Sequence, residues 1–189
     1  LAALRAIPNL TILSPATPIE AAACVMTAYE HTGPVYIRLG MGGETEYFGD
    51  GYTTAFGKST ELASGSAAAV LCTGSILSEV MECRDILHSR GVDISVLNMY
   101  SVKPLDEEAV LSAAGKHRMI FTVEEHSIYG GIGGAAAEVL AGHGCTAKLV
   151  RIGLQNSFAK GYGSQKDVRA RNGLDGAGIA ETIWEHLNG

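Results

Sequence analysis

The chain has 189 residues, 47% hydrophobic and 18% charged, with 24 glycines and a formal net charge of −6. That composition suits a soluble α/β fold with room for one good domain and a fragment of another. The acidic balance and the lack of any Lys/Arg cluster argue against nucleic acid and anionic membrane as partners. Charges break every apolar run within about ten residues, too few to span a bilayer, and no basic segment leads into an apolar one as a secretory signal would.

The first residue is Leu, so the sequence reads as a piece of something longer. Cys24, Cys72, Cys83 and Cys145 are widely spaced, with no C-x-x-C pair and no zinc-type spacing. Buried, reduced thiols in a cytoplasmic protein are the expectation.

Along the chain, residues 10–13 form a short apolar strand closed by Ser14-Pro15. Thr17-Pro18-Ile19-Glu20 is a capping-box pattern with proline at the first helical position. The helix it opens should bury Ile19, Ala22, Ala23 and Met26 on one face. His31-Thr32-Gly33 ends that helix, and residues 34–39 read as a second strand, parallel to the first. One βαβ unit buries too little apolar surface to offset chain entropy alone. Residues 1–43 are therefore expected to be the tail of an α/β domain, and 44–65 a linker in which 52–56 form a short strand or hairpin. From residue 66 the alternation is regular: strands at 67–73, 92–97, 119–123 and 147–152, and helices from Ser75, Asp106 and Ile132, with a last one carrying Ile179, Ile183 and Trp184. Residues 66–189 thus predict a three-layer α/β/α domain with a mostly parallel sheet.

In such a sheet the strands' carboxyl ends face ligands. Phe121-Thr122-Val123 stops there at Glu124, Glu125 and His126, and Gly130-Gly131 then leads into a helix. His126 either faces an interface or active site, or is structural. The glycine cluster lacks the G-x-G-x-x-G register and the downstream acid of a dinucleotide loop, and tight turn geometry and close packing account for it more simply. Gly74-Ser75 offers either backbone N–H groups to an anion or a plain helix cap. Lys103 pairs with an acidic partner or is solvated. His31, His88, His117, His143 and His186 fall at helix ends or on exposed faces. Arg38 ends a Val-Tyr-Ile strand beside glycines, where its guanidinium can fork onto a phosphate or form an interdomain salt bridge. No nucleophile–base–acid triad, H-E-x-x-H or P-loop lysine is present. The second domain therefore reads as a docking or supporting module.

The ordered stretches Leu4-Arg-Ala-Ile-Pro-Asn-Leu-Thr-Ile-Leu-Ser-Pro15, Gly33-Pro-Val-Tyr-Ile-Arg-Leu39, Val102-Lys-Pro-Leu-Asp106 and Glu124-Glu-His-Ser-Ile-Tyr-Gly-Gly-Ile-Gly133 give the chain a family. It resembles the C-terminal portion of a transketolase, in particular the short bacterial and archaeal form split into N- and C-terminal sections. The resemblance implies a thiamine-diphosphate-dependent enzyme that moves a two-carbon ketol unit between sugar phosphates. It also implies a homodimer whose cofactor and Mg sit between a pyrophosphate-binding and a pyrimidine-binding domain.

On that pattern, 1–43 end the pyrimidine-binding domain, 66–189 are the transketolase-type C-terminal domain, and Arg38 contacts the substrate phosphate. The glutamate that activates the cofactor's aminopyrimidine lies upstream, so no catalytic residue and no metal ligand falls in this fragment. The chain alone is then inactive and binds no cofactor. His126 matches a family histidine to which no role carries over, and the tail at 158–164 and 167–172 departs from the family's more acidic stretch. 1-Deoxyxylulose-5-phosphate synthase, with E-E-N, and the β subunit of 2-oxo-acid dehydrogenases, with E-E-G and no arginine, share the architecture. A non-enzymatic interaction or small-ligand module is the competing class.

Overall fold

Two sheets organise the computed structural model, which describes residues 1–189. In the smaller one, β1 (Thr11–Leu13) and β2 (Val35–Ile37) are parallel, with Thr11 opposite Val35. The helix α2 (Pro18–Tyr29) joins them, and a four-residue helix α1 (Ala2–Arg5) precedes them. Thr17 caps α2 by accepting from the Glu20 amide at 3.2 Å.

The other half of the capping box does not form. The Glu20 carboxylate turns away into full burial and accepts instead from the Ala16 amide at 2.7 Å. The apolar face of α2 also differs from the periodicity. Glu20, Ala23 and Cys24 are its buried residues, while Ala22, Val25, Met26 and Tyr29 are exposed. Cys24 packs with Leu13 of β1 and with Tyr100, so a single narrow stripe is covered.

The larger sheet comprises β3 (Thr60–Ala63), β4 (Ala68–Cys72), β5 (Ile94–Asn98), β7 (Met119–Ser127) and β8 (Lys148–Leu154), in the order β3-β5-β4-β7-β8. Four strands run parallel and β3 is antiparallel to β5. A 3-10 turn (Gly74–Ile76) and α3 (Leu77–Ser89) follow β4. The remaining helices are α4 (Glu107–Lys116), α5 (Ile132–Gly142), α6 (Gln165–Arg171) and α7 (Gly176–Asn188).

Strand pleat sorts the core. Val70 and Cys72 of β4 join Phe121 and Val123 of β7 against α3 and α7. Ala69, Leu71 and Ile120 face α4 and α5 on the other side. The three-layer, mostly parallel architecture therefore holds.

Four details depart from expectation. Residues 52–56 form no strand; β3 lies slightly later, inside the stretch expected to be linker. A short strand β6 (Ser101–Lys103) leaves the large sheet after β5 and pairs antiparallel with β1, which ties the two sheets together. Strand β7 does not stop at Val123 but runs to Ser127, with a register shift between those two residues. Finally, α6 forms from residues 165–171, with Ser164 and Asp167 making a complete capping box.

All four cysteines are free, and three are buried. Burial pushes the Cys24 and Cys83 thiols up to about 12. No helix is long and apolar enough to cross a membrane.

Candidate functional site

Carboxyl ends of strands from both sheets meet where Arg38 leaves β2. Its amide donates to the Leu13 carbonyl at 2.8 Å, which fixes the backbone, and its Nη2 reaches Glu125 Oε1 on β7 at 2.6 Å. Glu125 is the hub of the site. Its Oε2 accepts from Arg169 Nη2 at 2.8 Å, Gln165 Nε2 at 3.1 Å and the Ser75 hydroxyl at 3.2 Å. Arg169 also donates to the Ser75 hydroxyl at 2.8 Å and reaches Glu79 at 3.3 Å.

Burial by itself would raise the Glu125 carboxyl. The Arg169 and Arg38 guanidinia outweigh it and hold the group below its usual value. Arg38 is thus in the interdomain ion pair that its position allowed, with its side chain 27% exposed.

The two glutamates of the pair have opposite environments, as alternation along β7 requires. Glu124 is 1% exposed and accepts from the Ile132 amide at 2.8 Å and the Gly133 amide at 2.9 Å, at the start of α5. A side-chain carboxylate therefore occupies the helix N-terminus where an external anion would otherwise sit. The glycines fit this arrangement: a Cβ on Gly131 would lie 1.6 Å from Glu124 Oε2, and one on Gly133 2.7 Å from Thr122 Oγ1. Gly130, at φ +76°, lies under α1, where a Cβ would come within 2.3 Å of Ala2 Cβ. Arg5 closes that turn by donating to the Gly130 and Gly131 carbonyls, each at 3.3 Å.

His126 packs on Glu124, with Nε2 3.3 Å from its Oε2 and Nδ1 3.0 Å from the Ser127 carbonyl. Of the residues named from the Glu-Glu-His and glycine motifs, Glu125 alone reaches Arg38. Ser75 is not a side-chain cap; its hydroxyl serves the Glu125 network. Lys103 pairs with no acid but donates to the Arg5 and Ile7 carbonyls at 2.9 and 2.5 Å. His117 ends α4 buried rather than exposed.

A second polar cluster lies between the sheets. Glu20 accepts from Asn98 Nδ2 at 2.8 and 2.9 Å and from the Tyr52 hydroxyl at 3.2 Å. Burial pushes its carboxyl up to about 7, against the pull of the Ala16 amide, Asn98 and Tyr52. Sequence reading missed the roles of Glu20, Gln165 and Arg169. For the last two a signal existed, since Ser164-x-x-Asp167 is a helix start that places Gln165 and Arg169 on successive turns of one helix.

Thiamine diphosphate and Mg do not fit these residues. The glycine turn is filled by Glu124, and Glu125 is committed to two arginines. No group of three or more His, Cys, Asp or Glu side chains converges as a metal site.

Comparison with known proteins gives the chain its family. The family model for the transketolase C-terminal domain matches residues 57–179. A chain from Methanocaldococcus jannaschii with the provisional name transketolase C-terminal section is 34% identical over 99% of this chain and 58% of its own length. The 1-deoxy-D-xylulose-5-phosphate synthase of Syntrophotalea carbinolica is 33% identical over 98% of this chain and 29% of that enzyme. Among solved structures, a split-gene transketolase in an inactive β4 tetramer superposes with a TM-score of 0.92 at 31% identity, covering 99% of this chain and 61% of that one. The chain thus spans about six-tenths of the section-type relatives it matches. It belongs to the transketolase C-terminal domain family.

Proposed function

We propose that this chain is the C-terminal part of a thiamine-diphosphate-dependent, cytoplasmic transketolase, which transfers a two-carbon ketol unit between sugar phosphates. Residues 1–43 are then the end of the pyrimidine-binding domain, and the partner is an N-terminal section that, as a dimer of the complete assembly, supplies the cofactor and Mg site. Within this chain Arg38 recognises the substrate phosphate, while 66–189, the transketolase-type C-terminal domain, support the assembly. The reading is carried by the near-complete superposition on a split-gene transketolase. The placement of Arg38 supports it: only Nη2 is engaged within the chain, and the partly exposed guanidinium has further N–H groups to give to an oxyanion.

In the complete enzyme, Arg38→Ala is expected to raise KM for a phosphorylated donor about tenfold or more, because a charge-assisted hydrogen bond contributes roughly 1.5–3 kcal/mol. KM for an unphosphorylated ketose should move less than about twofold. Equal losses on both donors would make Arg38 structural. The similarity to 1-deoxy-D-xylulose-5-phosphate synthase gives a second reading, separated by assaying the complete enzyme for 1-deoxy-D-xylulose 5-phosphate formation.

A further inference from the structure

We infer that Glu125, although it lies in the C-terminal domain, is a positioning residue for Arg38 and so sets how strongly the enzyme reads the substrate phosphate. The inference rests on the proposed role of Arg38 and adds a second domain to that site. Its basis is the division of labour between the two Glu125 oxygens. Oε2 is clamped by Arg169, Gln165 and Ser75, all from the C-terminal domain. Oε1 has one partner, Arg38 Nη2 at 2.6 Å. A carboxylate immobilised at one oxygen is a rigid anchor at the other.

The anchor matters because Arg38 has little else to hold it. Its guanidinium sits at the end of a three-residue strand, followed by Leu39-Gly40 and then Gly42-Gly43. An arginine side chain with several free torsions loses much rotamer freedom when fixed. Glu125 fixes it before the ligand arrives, so less of that freedom is lost on binding. The pairing is monodentate and leaves the rest of the fork available. The clamp on Oε2 is itself braced: Arg169 is buried and reaches Glu79, whose other oxygen accepts from the Gly176 amide at 3.1 Å at the start of α7. Helices α3, α6 and α7 thereby bear on the orientation of one arginine in the other sheet.

The opposite role, an internal carboxylate competing with phosphate for Arg38, gives the opposite sign, so one experiment decides. In the complete enzyme assembled with this chain, Glu125→Gln is expected to raise KM for a phosphorylated ketose about fivefold. With kcat and KM for the unphosphorylated ketose staying within about twofold, the loss would be confined to phosphate recognition. In an Arg38→Ala background the same substitution should have no further effect, since its influence passes through Arg38. A fall in KM would identify Glu125 as a competitor and overturn the inference, as would equal changes on both donors or additive effects in the double variant. If Arg38→Ala leaves the discrimination between donors intact, the phosphate role of Arg38 fails and the inference falls with it. If Arg38→Ala removes discrimination and Glu125→Gln does not, the inference alone fails. Should Glu125→Gln prevent assembly, Glu125→Asp, which keeps the charge but withdraws Oε1 by one methylene, carries the same expectation and the same contrary outcomes.

Discussion

Glu124→Ala is expected to destabilise the chain by about 3 kcal/mol, because each orphaned buried donor costs roughly 1–3 kcal/mol and the helix loses its N-terminal anion. The Ile132 and Gly133 amides both donate to Glu124, and the carboxylate is 1% exposed, so solvent does not readily replace it. At about 2–4 °C per kcal/mol for a chain of this size, the melting temperature should fall by roughly 6–12 °C. Glu124→Gln keeps one acceptor oxygen and should cost about half as much. Thermal unfolding followed by circular dichroism checks both. An unchanged melting temperature for Glu124→Ala would mean that the amides find another partner and that the cradle at α5 is not what orders this turn.

The second large effect is a pH dependence from Glu20. Its carboxyl is raised from 4.5 to about 7 by burial, so the folded chain holds a proton that the unfolded chain has released. The sign follows from linkage: the contribution to stability is fully present below about 4.5 and is lost as pH rises through about 7. Its size is on the order of 3 kcal/mol, at 1.36 kcal/mol per unit. The Ala16 amide, Asn98 Nδ2 and the Tyr52 hydroxyl all donate to the carboxylate and oppose the shift, so it is burial, with the charge of Glu46 adding to it, that holds the proton there. Chemical denaturation at pH 5 and pH 8 should show the wild-type chain losing most of this stability at the higher pH. Glu20→Gln should flatten the difference. Carboxyls held low, such as Glu125, titrate below this window and do not mask it. An identical slope in wild type and variant would show that Glu20 stays charged throughout.

How much of this was legible in the sequence follows from where each signal resides. The larger sheet was readable because buried parallel strands are continuous apolar runs, as at Ala68–Cys72. The short edge elements β3 and β6 were not, because three or four residues carry no periodicity and their pairing partners lie 33 or more residues away. Strand β7 seemed to end at Glu124 since charges usually mark a surface. The amides of α5 reverse that rule by neutralising the buried carboxylate, a tertiary fact invisible in the local pattern.

Glu20 misled in a similar way. Its spacing from Thr17 is that of a capping box, and half the box forms, but Asn98 and Tyr52 draw the side chain into the sheet–sheet contact. On α2, the spacing of Ile19, Ala22, Ala23 and Met26 marks one apolar face, but the covered stripe is set by what packs there, Leu13 and Tyr100. For the site, Arg38 was legible from its strand end and glycines. Its partner Glu125 could be named only as a candidate, and Arg169 went unread because α6 was not recognised.

If, as we propose, this chain completes a thiamine-diphosphate transketolase without itself holding the cofactor, titration calorimetry separates the chain from the complete enzyme. The 189-residue chain with thiamine diphosphate and Mg should give no saturable heat corresponding to a Kd tighter than about 100 μM, or roughly 5.5 kcal/mol. Adding the remaining sections of the enzyme should produce both binding and ketol transfer. Saturable binding to the chain alone below that Kd, or a complete assembly that binds the cofactor without transferring a ketol unit, would overturn the proposed function.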